Sequence, residues 1–160
     1  MPHNNVSLKA LAAKLRNPAW LSFVWFGMSA GISLLETPVR FTAPTVTRAM
    51  ALDIGRVVFL ALNRAELVAL ALLVILAFLS GRARQLLAAG VALVLIMLAQ
   101  TAWLLPELAS RSQQIVQGIE PGPSIAHAAF SVLQLVKLAL LLYIGFRCLA
   151  APQDSRRAAL

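Results

Sequence analysis

Four long stretches of the chain are almost entirely apolar, and the polar residues gather between them. The stretches cover residues 19–36, 56–80, 85–105 and 126–150. Each supplies about 20 helical residues, enough to cross about 30 Å of hydrocarbon. Helices are required there because a bilayer offers no water to backbone N–H and C=O groups. The pattern predicts an all-α membrane protein with four transmembrane helices in an up-down-up-down bundle.

The connections between the predicted spans differ in length and character. Residues 80–84, Ser-Gly-Arg-Ala-Arg, separate the second span from the third and predict a tight, basic turn. The other two connections, 37–55 and 106–123, are longer and contain several prolines and charges. We expect short helices at the membrane surface in both, with apolar residues such as Phe41 and Met50 resting on the bilayer. Residues 1–18 and 151–160 form polar terminal segments.

Composition agrees with a membrane protein, and the charge pattern predicts its orientation. Of the 160 residues, 60% are hydrophobic and 12% are charged, which is typical of integral membrane proteins. The net charge of +8 does not indicate nucleic-acid binding, because the chain has no basic helix face and no nucleic-acid-binding motif. The basic residues lie instead at the ends of the spans, where they set orientation.

Counted by side, the basic residues are unequally distributed. One side carries Lys9, Lys14, Arg16, Arg82, Arg84, Arg147, Arg156 and Arg157, and the other carries Arg40, Arg48, Arg56 and Arg111. Lysine and arginine are enriched in cytoplasmic segments. The imbalance therefore predicts that both termini are cytoplasmic.

The sequence carries no recognisable enzyme motif. It lacks a nucleotide-binding glycine loop, a nucleophile elbow and a zinc-protease motif. Its single cysteine, Cys148, excludes an intramolecular disulfide and a multi-cysteine zinc site. His127, Glu36 and Met28 are candidate metal ligands, but no two of them form a local ligand motif. We predict a protein that is not an enzyme, binds no metal and uses no cofactor.

Two charged residues interrupt the apolar runs at matched depths. Glu66 lies thirteen residues after Asp53, and Lys137 lies thirteen residues after Ser124, both of which are candidate helix N-caps. A lone charge in hydrocarbon is costly, so such residues pair in a bundle interior or line a polar path. We predict an ion pair between Glu66 and Lys137 near or past the membrane midplane. It either fixes helix packing or serves a proton- or ion-linked site.

The pair belongs to a larger predicted intramembrane polar cluster. Its members are Glu66, Lys137, Asn63, Gln134, Arg56, His127 and Glu36. On the second and fourth spans the members follow the same i, i+7, i+10 spacing and so share one helix face. Glu36 ends the first span, where we expect it to meet Arg56 or His127. Arg64 points away from Glu66, and we expect it to reach the membrane surface or to contact Glu36.

A shift of 71 residues aligns polar positions of the two halves of the chain. It places Glu36 on Glu107, Arg40 on Arg111, Phe59 on Phe130, Asn63 on Gln134 and Glu66 on Lys137. One interpretation is two tandem helical hairpins related by an axis along the membrane normal, as in some transporter families. The other is chance, because leucine and alanine recur in any membrane protein.

Small residues in the first span indicate close helix contacts. Gly27 and Gly31 lie four residues apart, and small residues at this spacing let helices approach closely. We expect them to pack within the bundle. The alternative is that they join copies of the chain in a homo-oligomer.

Residues 31–66 carry a resemblance to a known group. The segments Gly-Ile-Ser-Leu-Leu-Glu-Thr-Pro-Val-Arg-Phe-x-Ala-Pro, Ala-Leu-Asp-Ile-Gly-Arg and Leu-Asn-Arg-Ala-Glu resemble a group of small four-helix proteobacterial membrane proteins. That group is distantly similar to domain-of-unknown-function proteins of eukaryotes. The resemblance extends to Ser124, His127 and Lys137, but an acidic residue often occupies the place of Gln134 in the group. It implies the four-span architecture and no particular activity.

These observations predict a multi-pass protein of the bacterial inner membrane with a buried polar cluster between its helices. Two specific functions stay open, a small solute or ion transporter and a structural or assembly subunit of a membrane complex. A cluster that opens to a cavity favours transport, whereas a cluster closed to water favours the assembly role. The lipid bilayer is its expected surrounding, and nucleic acid is not an expected partner.

Overall fold

The computed structural model describes residues 3–150, and most of these residues are helical. A helix at His3–Arg16 precedes four long helices. We call these span 1 (Ala19–Arg40), span 2 (Arg48–Leu79), span 3 (Ala83–Val116) and span 4 (Ala126–Ala150). All four are long and apolar enough to cross a membrane, and residues 3–150 contain no strand. The predicted all-α fold with four spans is confirmed, while the segment 151–160 lies outside the described residues.

Capping residues explain where the spans begin. The Thr47 hydroxyl accepts a hydrogen bond from the Met50 N–H (3.2 Å) at the start of span 2, as helix N-caps do. The sequence predicted Asp53 as the N-cap of this helix. That prediction is wrong, because Asp53 lies inside the helix. The Ser124 hydroxyl accepts from the Ala126 N–H (3.1 Å) just before span 4.

The turn between spans 2 and 3 is tight, as predicted. Gly81 has a φ of +71°, a left-handed conformation that glycine adopts without steric cost. The Arg16 guanidinium donates to the Leu79 carbonyl at the end of span 2. This turn and both ends of the described chain lie at one end of the bundle, which we call the termini end. The segments 41–47 and 117–125 lie at the other end, which we call the loop end.

Both long connections contain a short helix, as expected, at Thr37–Arg40 and Leu105–Val116, and each continues directly from a span. Spans 1 and 3 each contain a π-helical turn, at Gly31–Glu36 and Gln100–Leu104. A proline follows each π-helical turn, Pro38 in span 1 and Pro106 in span 3. Proline lacks an N–H and clashes with the preceding turn of a regular α-helix. The wider turn accommodates it, so both helices continue beyond their predicted ends.

The apolar core fills the half of the bundle nearer the termini end. Its fully buried members include Trp25, Leu93 and Leu141. Phe23 packs edge-on against Phe146, with ring centroids 5.3 Å apart. The buried charges Glu66 and Lys137 lie on the loop-end side of this core.

Gly27 and Gly31 do not contribute to packing within the bundle. Both are exposed, and no atom lies within 4 Å of the position that a Cβ would occupy at either residue. The expectation of intramolecular packing is therefore wrong. The helix face that carries them points away from the core.

Some residues aligned by the 71-residue shift make similar local contacts in the two halves of the chain. Glu36 pairs with Arg40 at 2.9 Å, and Glu107 pairs with Arg111 at 3.6 Å. The π-helical turns of spans 1 and 3 also lie close to equivalent positions. These relations are the ones expected of two tandem helical hairpins, and duplication stays a hypothesis.

Candidate intramembrane polar site

The two intramembrane charges contact each other directly. Lys137 Nζ lies 2.8 Å from Glu66 Oε2 and donates a hydrogen bond to it. The side chains are 0% and 3% exposed, respectively. The contact predicted from their matched depths is present, and it is closed on all sides by the described part of the protein.

Polar groups of spans 1 and 3 complete the coordination of this pair. Glu66 Oε1 accepts hydrogen bonds from the Trp25 indole N–H (3.1 Å) and the Ser29 hydroxyl (2.6 Å). Lys137 also donates to Gln100 Oε1 (2.8 Å) and makes a weak contact with Met97 Sδ (3.9 Å). Each carboxylate oxygen has a donor, and each ammonium hydrogen has an acceptor. Such satisfaction is what makes a buried ion pair tolerable in a low-dielectric interior.

Amide side chains extend the network toward the loop end. Gln100 Nε2 donates to Gln134 Oε1 (3.1 Å), and Gln134 Nε2 donates to the Ser33 hydroxyl (3.0 Å). Asn63 donates separately to Thr101 (2.9 Å). The connected network therefore joins all four spans.

Three predicted members of the cluster lie elsewhere. Arg56 pairs with Asp53 (2.9 Å), Glu36 pairs with Arg40 (2.9 Å), and the His127 side chain is exposed. Arg56 and His127 share helix faces with the ion pair but lie ten residues away along the helix, which corresponds to about 15 Å. Glu36 instead finds its partner one turn along its own helix, where i, i+4 pairs meet. The expected contacts of Glu36 with Arg56 or His127 are absent.

Arg64 lies on the exposed face of span 2. It does not reach Glu36, which is held by Arg40. Helical side chains slant toward the helix N-terminus, which in span 2 is at the loop end. The guanidinium can therefore extend from an apolar helix face toward the membrane surface.

A cavity of about 520 Å³ lies between the spans on the loop-end side of the ion pair. One part of the cavity is lined by Ser33, Asn63, Thr101 and Gln134. Ser33 and Gln134 belong to the buried network, and Asn63 and Thr101 form a hydrogen bond beside it. Phe59 and Phe130 contribute aromatic walls, and Arg40, Arg56 and His127 also line it. Gln134 thus lines the cavity on one side and joins the charge network through Gln100 on the other.

Several residues of the site are not among those that the sequence predicts. Trp25, Met97, Gln100 and Thr101 contact the predicted polar residues, yet none of them was among the predicted members. Gln100 had a signal, because the 71-residue shift places it on Ser29, and both residues contact the ion pair. Trp25 had none, since an indole in an apolar run looks like core.

No protein-family model matches this chain, and searches of curated proteins and of solved structures found no significant match. Within residues 3–150, His, Cys, Asp and Glu side chains form no group of three that could hold a metal ion.

Proposed function

We propose that this protein is a small-solute transporter of the bacterial inner membrane that catalyses no covalent reaction. The cavity is the solute-binding site, and the Glu66–Lys137 pair beneath it is the charge element that responds to its occupancy. The supporting observation is the direct link between the two, since Gln134 lines the cavity and is hydrogen-bonded to Gln100, which holds Lys137. We also propose membership of the four-helix group that the sequence resembles.

Two general properties of membrane proteins support this proposal. Ionisable residues within spans mark ion or substrate pathways in many pumps and transporters. Transporters are also frequently built from repeated units, with the substrate site at the interface between the repeats. Here the cavity is lined by both hairpins, including the equivalent residues Phe59 and Phe130.

The proposed orientation places the termini end in the cytoplasm. Lys14, Arg16, Arg82, Arg84 and Arg147 lie at that end of the described chain. The loop end carries four arginines, Arg40, Arg48, Arg56 and Arg111. Because lysine and arginine favour the cytoplasmic side, the cavity lies in the outer half of the membrane.

Flux measurements in proteoliposomes test the proposal. The probes are small organic solutes in matched anionic, neutral and cationic forms, with protein-free vesicles as the background. At least one probe should cross faster in the presence of the protein. Failure of every probe to exceed the background would argue against transport.

A double variant, Glu66→Gln with Lys137→Gln, separates a role in transport from a role in packing. One introduced amide can accept from Trp25 and Ser29 and donate to the other, which can donate to Gln100. This order of hydrogen bonds preserves the network without charge, so the variant should fold. If the charges serve transport, its flux falls to background, whereas unchanged flux would assign them to packing alone.

A second candidate function is that of an assembly subunit, which includes association with a second copy of the chain. The exposed face of Gly27 and Gly31 favours it, because small residues permit close helix contacts in lipid. Replacing both glycines with leucine should then lower the oligomeric mass measured in lipid nanodiscs. An unchanged mass would count against contact through this face.

A further inference from the structure

The charged groups that line the cavity are cationic. Among the described lining residues, Arg40 and Arg56 carry charge and none is acidic. Their carboxylate partners, Glu36 and Asp53, lie outside the lining. The cavity therefore presents the positive ends of two ion pairs.

Arg40 has hydrogen-bonding capacity that the protein leaves unused. Its side chain is only 6% exposed, and its two Nη atoms donate to the Ala51 carbonyl (2.9 Å) and to Glu36 Oε2 (2.9 Å). Its Nε is buried and has no acceptor within the described part of the chain. Buried donors without acceptors are rare and unfavourable. The planar guanidinium presents its donors in a fork that matches carboxylate and phosphate oxygens.

Neighbouring backbone elements hold the guanidinium in place. Gly55 packs directly against Arg40, and a Cβ at that position would overlap Nη1. The first turn of span 4 also reaches the cavity through His127, and the positive end of a helix dipole favours a nearby anion.

The remainder of the lining is suited to an apolar body. Phe41, Phe59 and Phe130 supply aromatic surface. Leu34, Leu60 and Leu135 add aliphatic surface to the lining. The volume of about 520 Å³ falls within the range of sites for small organic molecules.

We propose that the cavity binds an amphipathic anion, with its oxyanion on Arg40 and its apolar body against Phe59 and Phe130. This inference rests on the proposed function, for which it names the class of solute. The proposed ligand is more specific than an anion of any kind. The forked N–H donors of the Arg40 guanidinium match the oxygens of a carboxylate or a phosphate.

Photocrosslinking tests the ligand class. The probe is decanoic acid that carries a diazirine on its chain, added to the full chain in vesicles of uncharged phosphatidylcholine. Adducts are mapped to peptides by mass spectrometry, so cavity adducts are counted separately from those on lipid-facing residues. Excess decanoate, decanol and decylamine compete in parallel experiments, which isolates the contribution of the charged group.

The expected result is that decanoate suppresses the cavity adducts and that decanol and decylamine do not. Arg40→Gln should reduce the cavity adducts by about tenfold or more, as expected for loss of a charged hydrogen bond, and Arg40→Lys should reduce them partly. Arg64→Gln is the matched control, because it removes the same charge from the exposed face of span 2 and should have no effect.

Several results would overturn the inference. Equal competition by decanol would show that the anion is not recognised, and an equal effect of Arg64→Gln would show that Arg40 is not its ligand. Absence of cavity adducts would show that the anion does not bind in the cavity. If Arg40→Gln misfolds, the competition series on the unmodified protein decides. Solute flux without decanoate binding would overturn this inference and leave the proposed transport function standing. Decanoate binding without flux of any probe would support the anion site and argue against transport.

Discussion

The rings of Phe59 and Phe130 meet edge to face, with centroids 5.6 Å apart. These residues are 71 positions apart in the chain, which is also the separation of Glu66 and Lys137. Two pairs of positions related by the 71-residue shift are therefore in contact between spans 2 and 4. At such a position identical charges would repel, and the opposite charges found here convert a symmetric contact into an ion pair.

Exchanging the two charges should restore only part of the stability. Glu66→Lys or Lys137→Glu alone places like charges in contact and should destabilise the fold by about 3–5 kcal/mol. The double exchange restores attraction, but the Trp25 N–H then faces an ammonium, so a deficit of about 1–3 kcal/mol should remain. Equilibrium unfolding in mixed detergent micelles measures these differences. A double variant no more stable than the singles would contradict direct pairing.

Removing the indole donor of Trp25 should weaken the network without removing a charge. Trp25→Phe deletes the hydrogen bond to Glu66 and leaves the carboxylate less satisfied, with an expected loss of about 1–3 kcal/mol. Trp103→Phe is the control, because that side chain is 57% exposed and its replacement should change stability by less than about 0.5 kcal/mol. The same unfolding assay compares the two. Equal effects would mean that the indole hydrogen bond contributes nothing specific.

Gly145 packs closely against the Phe23 ring and should tolerate a side chain poorly. A Cβ there would lie 2.7 Å from the Phe23 ring, so Gly145→Ala should destabilise the fold by about 1–3 kcal/mol through overpacking. Gly27→Ala meets no neighbouring atom and should be neutral or slightly stabilising, because alanine favours helix. Combining Gly145→Ala with Phe23→Leu should relieve the clash. A tolerated Gly145→Ala would indicate that the Phe23 ring moves freely.

Labelling of one introduced cysteine should report the orientation of the bundle. Ser80→Cys lies at the termini end and Gln117→Cys at the loop end, while the natural Cys148 is buried. In intact spheroplasts a membrane-impermeant maleimide should label the variant at position 117 and reach position 80 only after permeabilisation. The unmodified protein provides the background. The reverse pattern would place the termini outside the cytoplasm.

The sequence predicted the ion pair because charge in an apolar run is rare and because two such charges lay at similar offsets. It also predicted that Asn63 and Gln134 share faces with that pair. The contacts of Arg56 and His127 could not follow from the same argument, since a shared helix face fixes direction but not distance along the axis. Glu36 pairs with Arg40 on its own helix instead of with Arg56 or His127.

Other features lay outside what periodicity can express. The apolar pattern counts the Trp25 side chain as hydrophobic and ignores its N–H, so its bond to Glu66 was not visible. Pro38 and Pro106 normally indicate that a helix has ended, yet the π-helical turns before them allow spans 1 and 3 to continue. The cavity depends on this continuation, because Arg40, Leu105 and Pro106 line it.

The division of the polar groups between the hairpins bears on how the chain enters the membrane during synthesis. Domains synthesised first generally fold first, so Glu66 must be accommodated before span 4 exists. Trp25 and Ser29 belong to the same hairpin as Glu66 and can already donate to it. Within the second hairpin, Gln100 accepts a hydrogen bond from Lys137. Each half of the protein thus brings its own solvating groups for the charge it carries, and the ion pair forms when the two halves dock.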